Sequence, residues 1–254
     1  GNFSYTNITA GNTYLGNVNN KTAIAGTVNI QAVYTTPNAF EMYRLVNQTG
    51  GGSITVQQSQ GFALTYDTIM VNAVEITGYK GFQYGYLMNN TITGNVTIAS
   101  DPSFSNGFAT YARRNVITGN SSFASNGTDA FNEGDEAASG SVYNGNLSIT
   151  AGGSSSLFIS HFSPLQCTGN LSISRTVAGH TQAFNSGAVI GGNFTYTNNT
   201  AGNTYLGHLN ARTSIGGTVT ITAGYTAASD FLLHRFINQT AGGSITVQNS
   251  AGFS

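Results

Sequence analysis

Four histidines, one cysteine and nine acids are the side chains of this 254-residue sequence best suited to catalysis or metal binding. A nucleophilic enzyme needs a Ser or Cys beside a His that an acid orients. No such set stands at recognisable spacing here, and His161, His180, His208 and His234 are scattered. His208 and His234 fall where a second copy of the same segment has Asn17 and Tyr43, so that segment does not need them. Cys167, in the run Pro164-Leu165-Gln166-Cys167, reads as a small buried apolar residue and has no intrachain disulfide partner. The expectation is a protein without catalytic residues or cofactor, and so not an enzyme.

Four of the nine acids, Asp129, Glu133, Asp135 and Glu136, lie in one stretch with Gly134. Oxygen ligands around a glycine turn could hold Ca²⁺. Their spacing matches neither an EF-hand loop nor the glycine-rich nonapeptide that binds calcium between coils. A solvated loop, partly neutralised by Arg113 and Arg114, is the preferred reading of these four metal candidates. Thirteen Asn-x-Ser/Thr sequons are present. Those at Asn7 and Asn198, and at Asn47 and Asn238, occupy equivalent positions in two copies of one segment. In a secreted protein they are the glycosylation candidates.

The surrounding chain limits the remaining options. Charged residues make up 7% of it and the net charge is −1, which gives nucleic acid nothing to hold. No apolar run is long enough to insert in a membrane as a helix. Gly, Asn, Ser and Thr dominate the polar residues, and all are poor interior helix formers. A hydrophobic content of 39%, with 13 Tyr and 15 Phe, is nevertheless enough for a core. A folded, turn-rich β protein follows.

Repeats organise it at two scales. Residues 1–62 align without a gap on residues 192–253, with 39 identities. Within that 191-residue unit a shorter motif recurs: glycine, small polar, apolar, polar, apolar. Gly26-Thr27-Val28-Asn29-Ile30, Gly94-Asn95-Val96-Thr97-Ile98 and Gly145-Asn146-Leu147-Ser148-Ile149 are examples. Gly52-Ser53-Ile54-Thr55-Val56 and Gly243-Ser244-Ile245-Thr246-Val247 are placed in the same register. The only poor copy follows Gly119, and motif starts lie 20 to 26 residues apart.

Alternation makes each motif a strand with one apolar and one polar face. A longer apolar segment follows in most coils, as in Phe40 to Val46, Phe62 to Val71 and Phe231 to Ile237. A short third one closes the coil, as in Thr22-Ala23-Ile24. So small a unit cannot bury its apolar face alone, whereas stacked units bury a continuous core. The fold expected is an all-β parallel β-solenoid, or β-helix, with eight coils per 191-residue repeat. Residues 1–254 form one solenoid, 1–191 being one large repeat and 192–254 the first third of the next. Eight coils span roughly 38 Å at a rung spacing of about 4.8 Å. Each motif glycine should sit where φ is positive or backbones approach closely. Rows such as Asn2/Ser4, Thr27/Asn29 and Ser53/Thr55 read as mixed hydrogen-bonded ladders, too irregular for an ice-binding face.

The coil pattern resembles the β-helical shafts of secreted adhesins of the filamentous haemagglutinin type. That resemblance covers the whole chain at the level of architecture and carries over no site residues. It implies an extracellular or cell-surface location. Gly1 opens at a coil start and Ser254 falls partway through a coil, with no polar cap at either point. The expectation is therefore a segment or subunit of an extracellular filament, sheath or surface fibre. Its partners would be copies of itself stacked end to end or further repeats of the same chain. The alternative is an adhesin stalk that contacts surface glycans through Tyr14, Tyr84, Tyr86 and Tyr205. A polysaccharide-degrading enzyme is disfavoured because clustered carboxylates are lacking outside residues 129–136.

Overall fold

The computed structural model describes residues 1–36, 38–80, 85–103, 109–128, 130–134, 137, 140–154 and 156–254. Among them there is no helix, and the chain winds through about ten turns of a parallel β-solenoid with coils about 24 residues apart. Each coil contributes three short strands, and each strand stacks on its counterparts to form a ladder.

The first ladder contains the motif strands, from Phe3–Asn7 through Val28–Val33 and Leu147–Gly153 to Gly243–Gln248. The second runs from Thr13–Gly16 through Leu157–Ile159 to Gly252–Phe253, and the third from Thr22–Ile24 through Leu165–Cys167 to Phe236–Asn238. In Thr68–Tyr79 and Thr91–Ser100 a third-ladder strand continues into the next first-ladder strand. This joins the first and third ladders into one 19-stranded sheet, while the second forms an 11-stranded sheet.

The apolar motif positions stack inside the rod. Val74, Val96, Ser121, Leu147, Leu171, Phe194 and Val219 occupy successive rungs of one column. Ile69, Ile92, Ile117, Tyr143, Cys167, Ile190 and Ile215 form another in the third ladder. Cys167 is thus a core residue. Ser121 is the poor rung, and its hydroxyl is buried without a partner. Phe123 fills that coil by packing on Phe131 at 5.1 Å and on Tyr143 at 6.2 Å between ring centroids.

Two sequence expectations change in register. Ile54 pairs with Ile30, not Val28, and Val56 pairs with Ala32, so the third motif slides by two residues. Its later copy does the same, with Ile245 on Ile221 and Val247 on Ala223. A two-residue slip keeps every side chain on its own face, so the apolar pattern alone could not detect it.

The long second apolar segments are each two strands, not one. Phe40 to Val46 breaks at Arg44 (φ 51°), Phe62 to Val71 at Tyr66 (φ 59°) and Phe231 to Ile237 at Arg235 (φ 52°). Gly16, Asn89, Arg114, Gly134, Ser160, Phe184 and Gly207 also have positive φ at this corner in their coils. A column of left-handed residues therefore turns the chain between the second and third ladders.

The motif glycines behave as expected. Gly94 and Gly119 have positive φ, and a Cβ on Gly145 would stand 2.2 Å from the Gly119 carbonyl oxygen of the coil beneath. After each of many such glycines, an asparagine locks its coil to the next. The Oδ1 atoms of Asn95, Asn120, Asn146 and Asn170 accept the backbone N–H groups of Asn120, Asn146, Asn170 and Asn193 in turn. A second, buried polar ladder lies just past the left-handed corner. Oδ1 of Asp67 accepts from Leu45 N–H, Asn90 Oδ1 from Asp67 N–H, and Asn115 Oδ1 from Asn90 N–H.

Candidate functional site

The histidines divide into two places. His161 and His180 both pack on Phe158, at 4.9 and 6.3 Å between ring centroids. His208 and His234 lie in successive coils at the left-handed corner, where the Gly207 backbone approaches the His234 carbonyl. Cys167 is inside the rod, its thiol directed at the carbonyl oxygens of Gly145, Gly169 and Asn170. Burial raises the pKa of that thiol above its ordinary value, which suppresses the nucleophilic thiolate.

Of the four acidic metal candidates, Asp129, Asp135 and Glu136 lie outside the described residues. Glu133 is described and corrects the solvated-loop reading at its own position. Its side chain is buried inside the rod, and Oε2 accepts the Ser160 N–H at 3.0 Å. Alternation explains this: Phe131 and Glu133 share the inward face of Ala130–Glu133. Arg113 lies over the Tyr111 ring, its guanidinium carbon 4.6 Å from the ring centroid. Among the described residues no three metal-ligating side chains of His, Cys, Asp or Glu type come together.

The glycosylation candidates are not equivalent. Asn47 is 2% exposed, its Oδ1 accepting Met70 N–H and its Nδ2 donating to the carbonyls of Thr49 and Met70. Asn198 is 0% exposed, accepting from the Thr200 amide and hydroxyl and donating to Thr204. The folded rod has no room for a glycan at either. Asn7 is half-buried and holds the same turn as its counterpart, with Thr9 N–H on Oδ1. Asn238 is exposed and donates to the Thr240 carbonyl. All four asparagines sit at the turns that end their strands rather than on the outward strand rows. Their amides close the turns from within, as Asx side chains do.

Two outward surfaces remain. On the first ladder the exposed rows include the asparagines at motif position two, which form the corner ladder and face solvent at Asn95, Asn120, Asn146, Asn170 and Asn193. Positions four and six face the same side. Ser148/Thr150, Ser172/Ser174, Thr195/Thr197, Thr220/Thr222 and Ser244/Thr246 then follow one another over five coils. Each is a pair of hydroxyls, more regular than the sequence rows.

On the second ladder the outward side carries aromatic rings. Tyr14, Tyr86 and Tyr205 occupy its outward column, and Tyr84 lies outside the described residues. Tyr111 stacks one rung from Tyr86, with ring centroids 5.6 Å apart. Phe158 occupies the same column two rungs from Tyr205. Sequence reasoning missed Tyr111, Phe158 and Phe162. The signal was present at Phe158, which alternates with the buried Leu157 and Ile159.

Family models, curated proteins and solved structures give no match to this chain. The functional reading therefore rests on these two faces and on the stack that presents them.

One buried cation also escaped sequence reading. Arg175 is 2% exposed, and its guanidinium donates to Thr181 Oγ1 and to the carbonyls of Gly153, Val177 and His180. It stands on the inward rung between Ala151 and Asn198, filling space and satisfying the carbonyls of a bulging turn. Arg175 also disfavours protonation of His180, whose pKa is lowered chiefly by burial and secondly by this charge.

Proposed function

We propose that this chain is a structural segment of an extracellular filament, sheath or surface fibre, in which coils add along one axis. The carrying observation is that the large repeat is a repeat of conformation as well as of residues. Residues 1–62 and 192–253 form the same succession of strands, and both copies contain the same two-residue slip. A further 191-residue unit would extend all three ladders without a change of register. Low charge supports the reading, since like charges on adjacent rungs would repel. The exposed asparagine ladder supports it too, because each Oδ1 holds its coil to the backbone N–H of the next. In this reading the partners are further units of the same kind, and catalysis has no part.

Electron microscopy of chains carrying one, two and three 191-residue units tests this. Straight rods should lengthen by roughly 38 Å per unit at a rung spacing of about 4.8 Å. Beaded or bent particles, with each unit folding separately, would refute it.

The five regular hydroxyl pairs of the first ladder favour a second reading, an ice-binding face. Inhibition of ice recrystallisation that is abolished by Thr197→Lys would support it. Growth of ice crystals unaffected by the protein would eliminate it.

A further inference from the structure

The outward column of the second ladder carries, rung by rung, Asn132, Phe158, Gln182, Tyr205 and Leu232. Aromatic and amide side chains alternate through its middle. Neighbouring rings widen this column into a surface. His161 lies on Phe158 at 4.9 Å, and Phe162 lies on His161 at 4.0 Å. His180 meets Phe158 at 6.3 Å and Tyr205 at 5.0 Å. The five rings join into one surface across three coils, a span of two rungs or about 10 Å. Phe162 is 55% exposed at its edge.

Water solvates such a surface poorly, and a contiguous aromatic patch of this kind marks a contact site. Its rim narrows the class of ligand. Asn132 and Gln182 flank Phe158 on the rungs to either side, and the Asn203 amide donates to the Tyr205 hydroxyl at 3.2 Å. Asp230 stands one rung above Asn203, its N–H bound to the Asn203 Oδ1. Arg175, the nearest buried cation, is committed to carbonyls and a hydroxyl beneath the surface. An anionic polymer would need outward lysines or arginines, and one outward carboxylate at the rim opposes it.

We propose that this face binds an uncharged polysaccharide laid along the rod axis. A pyranose ring has an apolar face of C–H groups and a rim of hydroxyls. The first stacks on Phe158, Phe162 and Tyr205, and the second meets Gln182, Asn132, Asn203 and Asp230. The site is independent of whether the rod forms filaments, so either conclusion can fail alone.

Binding of cellohexaose, chitohexaose and mannohexaose to the full chain, measured by calorimetry with native and substituted protein, tests the proposal. At least one should bind with millimolar or tighter affinity. Phe162→Ala and Tyr205→Ala should each weaken that binding about three- to tenfold, the range expected of one aromatic partner. Tyr14→Ala should leave it unchanged, because Tyr14, the counterpart of Tyr205 in the large repeat, lies six rungs from Phe158 along the same column. Circular dichroism of the variants would establish that each keeps the β-rod. No binding of any of the three sugars at 10-fold excess over about millimolar concentration would overturn the proposal. So would binding indifferent to both ring substitutions, or a Phe162-dependent dimer of the chain with no sugar affinity.

Discussion

Replacing Asp67 by Asn should stabilise the rod, and by more as the pH rises. Asp67 is 1% exposed and occupies the same place in the buried polar ladder as Asn90 and Asn115. In those two rungs Nδ2 donates downwards, from Asn90 to the Leu64 carbonyl and from Asn115 to the Leu87 carbonyl. The register makes Met42 the counterpart of Leu64 one coil lower. The Asp67 side chain has no N–H to give, and its Oδ2 has no hydrogen-bond partner. Burial raises its pKa well above the ordinary carboxyl value, against the lowering effect of the Leu45 and Thr65 amides. An asparagine would supply the missing donor and remove the buried acid. One net hydrogen bond contributes about 0.5–1.5 kcal/mol, and relief of an unsatisfied buried group about 1–3 kcal/mol. A gain of roughly 1–3 kcal/mol at neutral pH follows.

The sign of the pH effect comes from proton counts. Between the unfolded pKa of about 3.9 and the raised folded value, the folded rod binds more protons than the unfolded chain. The contribution of Asp67 is therefore fully present below about pH 3.9 and is lost as the pH rises through the folded pKa. Asparagine does not titrate, so the advantage of Asp67→Asn should widen over that interval and then level off. Urea denaturation of both proteins at a series of pH values, followed by circular dichroism, measures the difference directly. An Asp67→Asn protein less stable than the parent at pH 7, or a difference independent of pH, would refute the account.

Other consequences can be checked with the same protein. Gly145→Ala should destabilise by at least about 2 kcal/mol, since its Cβ would meet the Gly119 carbonyl, while Gly50→Ala, with open space around it, should change stability by less than about 0.5 kcal/mol. Urea midpoints of the two variants report this contrast. Arg175→Ala should cost about 3–5 kcal/mol, because it removes a buried charge that satisfies three carbonyls, and the same denaturation measures it. Cys167 should resist a thiol reagent such as DTNB in the native rod and react stoichiometrically in denaturant, as followed by absorbance.

The parts of the fold legible in the sequence are those written in local alternation. Val96 and Ile98, or Leu171 and Ile173, announce a strand with one apolar face, and the glycine before each announces a tight corner. Recurrence of the motif then implies stacking. The left-handed corner was hidden because Arg44, Tyr66, Asn89, Ser160 and Phe184 share no residue type. Their conformation is imposed by the strands on either side. The polar ladders were half-visible: motif asparagines were seen, but nothing local distinguishes Asp67, Asn90 and Asn115 from loop residues. Their partners lie 22 to 28 residues away, on other coils. Glu133 was misjudged and Arg175 overlooked for the same reason, since a charge reads as solvent-facing until its distant partners are known. At the aromatic face, Tyr14, Tyr86 and Tyr205 were noticed singly. The register that puts Phe158 and Tyr205 in one column needed the folded chain.

The corner asparagines carry one more implication. At the motif asparagines Asn95, Asn120, Asn146, Asn170 and Asn193 the Oδ1 receives an N–H from the coil that follows. In the buried ladder Asp67, Asn90 and Asn115 each receive one from the coil before. The rod thus has a direction, like an arrow repeated at every rung. Two such rods meeting head to head would set acceptor against acceptor and reverse the sense of the strands, whereas head-to-tail contact continues both. Any fibre assembled by extending this stack is consequently polar, with chemically distinct leading and trailing ends, and growth at one of them need not match growth at the other.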